Sequence, residues 1–151
     1  MSDHDDGPDP AHRPPLGVSD TTVEALGALS KALETTERAR GHLYSFHQLT
    51  GTADFELDRA VELLRAAGHG AWAEKVQRDI LGRNVIPGQW TFQVVEAYDA
   101  TYYEPFKALE AAARQELAGG RNHLYEARLK EERRTGGHPD HTALPEPPPA
   151  P

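Results

Sequence analysis

Apolar residues recur at intervals of three and four along much of the chain, which is the spacing of one face of an α-helix. Asp20 is a natural N-cap for the first such segment. The spacing predicts an amphipathic helix from there to about Leu49, with a break or kink at Gly41, because glycine weakens a helix by about 1 kcal/mol relative to alanine. Its predicted buried face comprises Val23, Leu26, Leu29, Leu33, Thr36, Leu43 and His47.

Glycines are expected to end the next helices. Gly51 can stop the first helix and Thr52 can cap a second one, which places Leu57, Val61 and Leu64 inward and ends at Gly68. The spacing of Trp72, Val76 and Ile80 predicts a third helix over about 70–81. An ordered loop over 82–89 should follow, with Val85 and Ile86 packed beneath it.

The segment 90–109 is apolar around more than half of a helical circumference, so we expect it to lie in the centre of the fold. Pro105 lacks an amide proton, so the helix should either kink there or end near Tyr103 and restart with Pro105 in its first turn. Helical pattern continues to Leu117 and stops at the pair Gly119–Gly120. A charged last helix is predicted over 122–134.

No segment shows the alternation of a β-strand, so the expected fold class is all-α, an up-and-down bundle of four to five helices. Ten of the 12 prolines lie outside residues 19–134, and every aromatic residue lies inside them. We therefore expect a single helical domain over 19–134. It should be flanked by a disordered acidic, proline-rich tail over 1–18 and a disordered proline-rich tail over 135–151.

Composition excludes several classes of protein. The 151 residues include no cysteine and carry a net charge of −8, so thiol chemistry and disulfide scaffolds are absent and no basic surface for nucleic acid is expected. No apolar run is long enough to span a membrane, and the first residues do not resemble a signal peptide, which predicts a cytoplasmic protein. The lysine-poor composition, rich in Ala, Arg, Gly and Pro, is typical of a GC-rich bacterial source.

A few polar residues share helix faces with apolar ones and could bind a divalent transition metal, because imidazole and carboxylate groups from facing helices are common ligands for such ions. The candidate metal ligands are His47, Glu96, Asp99, His123 and Glu126. The competing interpretation is structural: His47 is a hydrogen-bonded core histidine and Arg40 pairs with a carboxylate. In this interpretation the candidate carboxylates Glu96, Asp99 and Glu126 lie on a solvated face.

No signature of a phosphate-binding loop, a dinucleotide-binding loop or a serine hydrolase is present, so the sequence leaves open whether the protein is an enzyme. Residues 40–44 and 121–125 share the pattern Arg-x-His-Leu-Tyr. One recurrence of five residues does not define a repeat, so this echo supports no functional assignment.

Aromatic residues are densest between Trp90 and Tyr103. Aromatic side chains and arginine are the usual anchors of protein interfaces, which makes Arg83, Trp90 and Tyr103 candidates for binding a partner protein or a second copy. The alternative interpretation is that the aromatic residues simply pack in the core. The segment Pro-Glu-Pro-Pro-Pro-Ala-Pro, residues 145–151, favours polyproline II conformation and could bind an aromatic-lined groove. The alternative interpretation of this segment is an inert solubilising tail. The leading hypothesis is therefore a protein-interaction or regulatory module without its own catalysis, with a metal-binding bundle as the alternative.

Overall fold

A computed structural model describes residues 7–146, and they are mostly helical, which confirms the all-α class. Predictions for residues 1–6 and 147–151 lie outside the described residues. None of the described helices is both long enough and apolar enough to cross a membrane. The α-helices are α1 Asp20–Ala66, α2 Gly70–Asp79, α3 Thr91–Tyr98, α4 Glu104–Ala118 and α5 Leu124–Arg133. A 3-10 turn covers Pro10–His12, and a π-helical turn, Asp99–Tyr103, joins α3 to α4.

The chain divides into two compact units. Among the described residues, the first combines 7–34 with 106–146, and the second is Thr35–Pro105. The first unit has a small apolar core contributed by α1, α4 and α5 and by the segment before α1. This core consists of buried Val23, Leu26, Ala118 and Leu124, with Val18, Ala113 and Tyr125 packed against them.

A buried carboxylate lies beside the core of the first unit. Glu110 accepts a hydrogen bond from the Ser30 hydroxyl at 3.1 Å and pairs with Arg114 at 3.2 Å. Glu110 is almost fully buried, so these two partners are what offset the cost of removing its charge from water.

Parts of the predicted disordered tails make ordered contacts within the first unit. Arg121 donates hydrogen bonds to the backbone carbonyls of Pro10 and Arg13, and Lys130 donates to the carbonyl of Ala143 at 2.6 Å. These bonds join charged side chains to backbone oxygen atoms. Amino-acid composition cannot predict such contacts, because their acceptors are backbone carbonyls, which every residue has.

α1 does not break at Gly41 or stop at Gly51, so the predicted helix boundary at 51–52 is wrong. Neither glycine has positive φ. The Thr52 hydroxyl donates back to the carbonyl of Gln48 at 3.1 Å, which is a helix-interior contact rather than an N-cap. Inward-facing residues also keep the same spacing on both sides of Gly51, so continuing the helix preserves its buried face.

We define the inner stripe of α1 as the inward-facing positions of the second unit, which follow one another at alternating intervals of three and four. It is apolar where α1 ends, but arginine, histidine and aspartate occupy its middle. Its members are Thr36, Arg40, Leu43, His47, Thr50, Asp54, Leu57, Val61 and Leu64.

Pro105 determines how α3 passes into α4. The amide of Glu104 donates to the carbonyl of Asp99, five residues back, which widens the turn immediately before the proline. Pro105 lies in the first turn of α4, and the chain stays helical from α3 through the π-helical turn into α4 instead of ending near Tyr103.

The prediction that the segment from Trp90 is enclosed in the centre is wrong. Thr91, Val95 and Tyr103 are buried, whereas Phe92 and Tyr102 are about half exposed. These buried positions are separated by four and eight residues and so lie towards one face, while other parts of the circumference meet solvent. Other predicted core residues, Trp72, Ile80, Val85 and Ile86, are exposed as well.

Two alanine substitutions in α1 should have opposite effects on stability. Gly41→Ala places a Cβ in open space and should stabilise the protein by about 1 kcal/mol, the helix-propensity difference. Gly27→Ala places a Cβ at 2.8 Å from Cβ and Cγ of Tyr125, so it should destabilise by about 1–3 kcal/mol through overpacking. Urea unfolding of the two variants measures both effects, and stabilisation by Gly27→Ala would contradict this contact between α1 and α5.

Candidate functional site

An apolar groove of about 600 Å³ lies within the second unit, and we call it the groove. It lies between α1 and the segment that leads from α2 to α3. Its lining is mostly apolar, with one arginine and one aspartate. The lining residues are Thr50, Gly51, Ala53, Asp54, Phe55, Leu57, Ile80, Arg83, Asn84, Val85, Trp90 and Thr91.

The wall formed by α1 depends on the helix continuing past Gly51. Asp54 lies on the inner stripe, and its carboxylate accepts a hydrogen bond from the amide of Gly82 at 2.7 Å. Phe55 follows directly and is 77 % exposed, so a phenyl ring meets solvent at the groove. The same turn of helix thus anchors the opposite wall and presents an aromatic side chain.

The opposite wall is a short loop held by backbone hydrogen bonds. Gln89 N–H donates to the carbonyl of Ile86 at 3.0 Å, and Gly88 has φ of +75°, as a type II turn over Ile86-Pro87-Gly88-Gln89 requires. Val85 N–H donates in turn to the carbonyl of Gln89 at 3.0 Å. The apolar side chains of this loop are therefore presented by an ordered backbone.

Trp90 closes the loop at the start of α3. Its indole N–H donates to the carbonyl of Gly82 at 3.2 Å, and its backbone N–H donates to Gln93 Oε1 at 2.8 Å. Both N–H groups of this residue are hydrogen-bonded while its ring stays about half exposed at the groove. A ring held in this way loses little conformational freedom when a partner covers it.

Arg83 supplies the positive charge of the groove. It is exposed, and its guanidinium donates to the backbone carbonyl of Asp79 at 3.2 Å. Asp79 itself pairs with Arg78 at 2.8 Å, and this hydrogen bond holds the pKa of Asp79 below its ordinary value of 3.8.

Tyr103 does not join Arg83 and Trp90 at this surface, contrary to the sequence-based prediction. It is only 8 % exposed and does not line the groove. Its hydroxyl donates to Glu37 at 2.5 Å, and its ring lies 4.9 Å from the Arg40 guanidinium carbon. Tyr103 is thus part of the contact with α1, where a buried tyrosine hydroxyl finds its partner.

Three of the predicted metal ligands lie in the second unit, and two of these have protein partners. Asp99 accepts two hydrogen bonds from Arg40, at 2.8 and 3.0 Å, and this contact raises the pKa of the arginine, so the pair stays charged. His47 Nδ1 lies 2.7 Å from the Thr91 hydroxyl. Glu96 is exposed on α3. These contacts agree with the structural interpretation of Arg40 and His47.

The other two predicted ligands, His123 and Glu126, lie in the first unit and are 3.8 Å apart as an exposed pair. The His123 ring also lies 6.3 Å from that of His12 across a cavity of about 320 Å³. Within residues 7–146, however, no three histidine, aspartate or glutamate side chains are arranged to hold a metal ion.

The two segments that share the pattern Arg-x-His-Leu-Tyr do not have the same structure. His42 lies inside α1, whereas His123 precedes α5 with a left-handed backbone, φ +56°. His123 is the one residue other than glycine with positive φ in the described part of the chain.

The chain matches no protein-family model, no curated protein and no solved structure. A functional assignment therefore depends on the geometry of its own residues.

Sequence reasoning missed Asp54, Phe55 and Ile80 as parts of the groove. The predicted boundary at Gly51 assigned residues 50 and 54 to two different helices, so they were not seen as neighbours on one face. The sequence does contain evidence that the helix continues. The alternating intervals of three and four residues that include Leu43 and His47 run on through Thr50, Asp54 and Leu57.

The bond between Tyr103 and Glu37 predicts how stability depends on pH. It holds the pKa of Tyr103 above the ordinary value of 10.0, because a phenolate would face the Glu37 carboxylate. This stabilisation should be complete below pH 10.0 and lost as pH rises through the raised pKa. Urea unfolding at about pH 9 and about pH 11 should show a larger loss of stability for the native chain than for Tyr103→Phe.

The exposed neighbour Tyr102 provides the control, and Tyr102→Phe should follow the native chain. Equal losses in the native chain and Tyr103→Phe would show that the Glu37 contact is absent.

Proposed function

We propose that the protein is a helical interaction module that binds a short apolar peptide segment of a partner protein in the groove and has no catalysis of its own. One observation carries the proposal: aromatic rings lie exposed on a backbone that hydrogen bonds hold in place. Exposed apolar surface of this kind, when contiguous, is typical of sites that bind proteins.

The shape and chemistry of the lining support a particular class of partner. Phe55, Ile80 and Trp90 offer broad apolar surfaces at one opening. Grooves lined by aromatic rings suit extended, proline-containing peptides, which enter binding with little conformational entropy to lose. Arg83 adds a cation at the same opening, so an acidic residue beside the prolines would complement it.

The chain contains a segment of this composition, Leu-Pro-Glu-Pro-Pro-Pro-Ala-Pro, over residues 144–151. A synthetic peptide of this segment is therefore a suitable probe for the groove. When such a peptide is bound there, its Glu146 would contact Arg83. We keep two further predictions from the sequence as part of this proposal. They are a bundle of four to five helices with proline-rich tails, and a cytoplasmic location.

A peptide titration tests the proposed site. In a Trp72→Phe background Trp90 is the only tryptophan, so its fluorescence reports on the groove alone. A synthetic peptide of residues 142–151 should shift the emission of Trp90 saturably. In the native chain Trp90→Ala should weaken binding at least tenfold, measured calorimetrically, because an aromatic anchor at an interface typically contributes about 2 kcal/mol or more.

Trp72→Ala is the matched control, because Trp72 is the other exposed tryptophan and does not line the groove. It should leave the affinity unchanged, and circular dichroism should show both alanine variants to be helical. An unchanged emission of Trp90, or equal losses in the two variants, would contradict the proposal.

The charge contact can be tested separately. Arg83→Met and a peptide carrying Glu146→Gln should each lower the affinity by roughly two- to fivefold, the range of an exposed ion pair of about 0.4–1 kcal/mol. Combining them should cause no further loss if the two groups interact, and additive losses would show that Glu146 lies elsewhere.

A further inference from the structure

α1 carries a second apolar stripe that no described residue covers fully. We define the outer stripe as the positions that directly precede those of the inner stripe between residues 39 and 63. Each outer position is therefore about 100° around the helix from an inner one. Its members are Ala39, His42, Phe46, Leu49, Ala53, Glu56, Ala60 and Leu63.

The large apolar members of the outer stripe face solvent. Leu49 is 68 % exposed, and Phe46 and Leu63 are about half exposed. Apart from Ala60, which is partly buried, the other members are exposed as well. Three well-exposed large side chains in line on one helix make a surface that a partner would remove from water at a favourable free energy.

The spacing of the stripe identifies the kind of partner. Intervals of three and four are kept over four heptads, residues 39–66, or about 42 Å of helix. A stripe that repeats every 3.5 residues stays in contact with another helix that has the same repeat, as in a coiled coil. Three of its eight members are alanines, Ala39, Ala53 and Ala60, which leave room for large side chains of a partner helix.

The charges on the stripe favour a second copy of the same helix in antiparallel orientation. His42 and Glu56 each lie seven positions from Leu49. When two copies cross antiparallel at Leu49, His42 of each copy faces Glu56 of the other. A parallel pair would instead place Glu56 against Glu56, and like charges in contact are unfavourable.

From this spacing and charge arrangement, we propose that the outer stripe pairs with the outer stripe of a second copy to form an antiparallel dimer centred on Leu49. Phe46 of one copy then lies beside the small Ala53 of the other. The contact uses the same residues on both copies and closes after two chains, as a two-fold interface requires. It is independent of the groove, although Ala53 borders both surfaces.

Cysteine cross-linking of the full chain tests the pairing, because the native sequence contains no cysteine. Leu49→Cys places a thiol at the centre of the proposed dimer, whereas Gln48→Cys places one on the same turn but off the stripe. Under mild oxidation Leu49→Cys should form a disulfide-linked dimer at least tenfold faster than Gln48→Cys. Equal rates would overturn the proposal.

Orientation is tested by mixing two single variants. His42→Cys chains should cross-link to Glu56→Cys chains, and neither variant should cross-link efficiently to itself. Efficient self-linking of either variant alone would show a parallel pair and would contradict the proposed orientation.

Sedimentation equilibrium measures the association itself. The native chain should show a concentration-dependent dimer, and Leu49→Lys should be monomeric at the same concentrations with an unchanged helical spectrum. Phe55→Lys, an exposed substitution on α1 off the stripe, should remain dimeric. A native chain that stays monomeric at every concentration would overturn the proposal, even if it associates with a different helical protein.

Leu49→Lys should still bind the peptide of residues 142–151, because Leu49 does not line the groove. Loss of the dimer and loss of peptide binding are therefore separate results.

Discussion

The polar middle of the inner stripe of α1 is the constraint on which the second unit depends. A helix that turns arginine, histidine and aspartate inward must provide each with a partner, because unpaired polar groups away from water are costly. Each partner comes from the segment after α2, and the order of partners runs opposite to the order along α1, which makes α1 and α3 antiparallel. The contacts of the stripe join Arg40 to Asp99, His47 to Thr91, and Asp54 to the amide of Gly82. Glu37, which lies next to the stripe, accepts from Tyr103 in the same order.

These contacts explain how the unit can expose so many aromatic residues and still have a defined structure. Directional hydrogen bonds and an ion pair position the loop and α3, so the apolar side chains of these segments are not all needed to bury surface. Trp90 is the clearest case, since its indole N–H and its backbone N–H are bonded while its ring faces the groove. The residues that hold the site and the residues that a partner would contact are thus largely different.

The sequence was sufficient for the helical class, the end of α4 at Gly119, a local change in the helix just before Pro105, and Arg83 and Trp90 as neighbours in one surface. It failed at Gly51, because glycine followed by threonine is a common helix boundary. Only a comparison of the spacing of inward-facing residues on the two sides of Gly51 shows that the helix continues. It also misplaced Tyr103 and the side chains exposed on α2 and the loop. Hydrophobicity alone cannot tell an aromatic residue that packs against α1 from one that faces solvent.

The most direct test of this account is the length of α1 across Gly51. Spin labels at Arg38→Cys and Glu62→Cys, two exposed positions of the second unit, report that length in a chain with no other cysteine. Diluting the labelled chain with unlabelled protein restricts the measured distances to one molecule. An unbroken helix predicts a narrow distribution centred near 36 Å, from 1.5 Å per residue. A broad distribution, or one centred well below that length, would show that the helix ends at Gly51 and that the inner stripe does not exist as described.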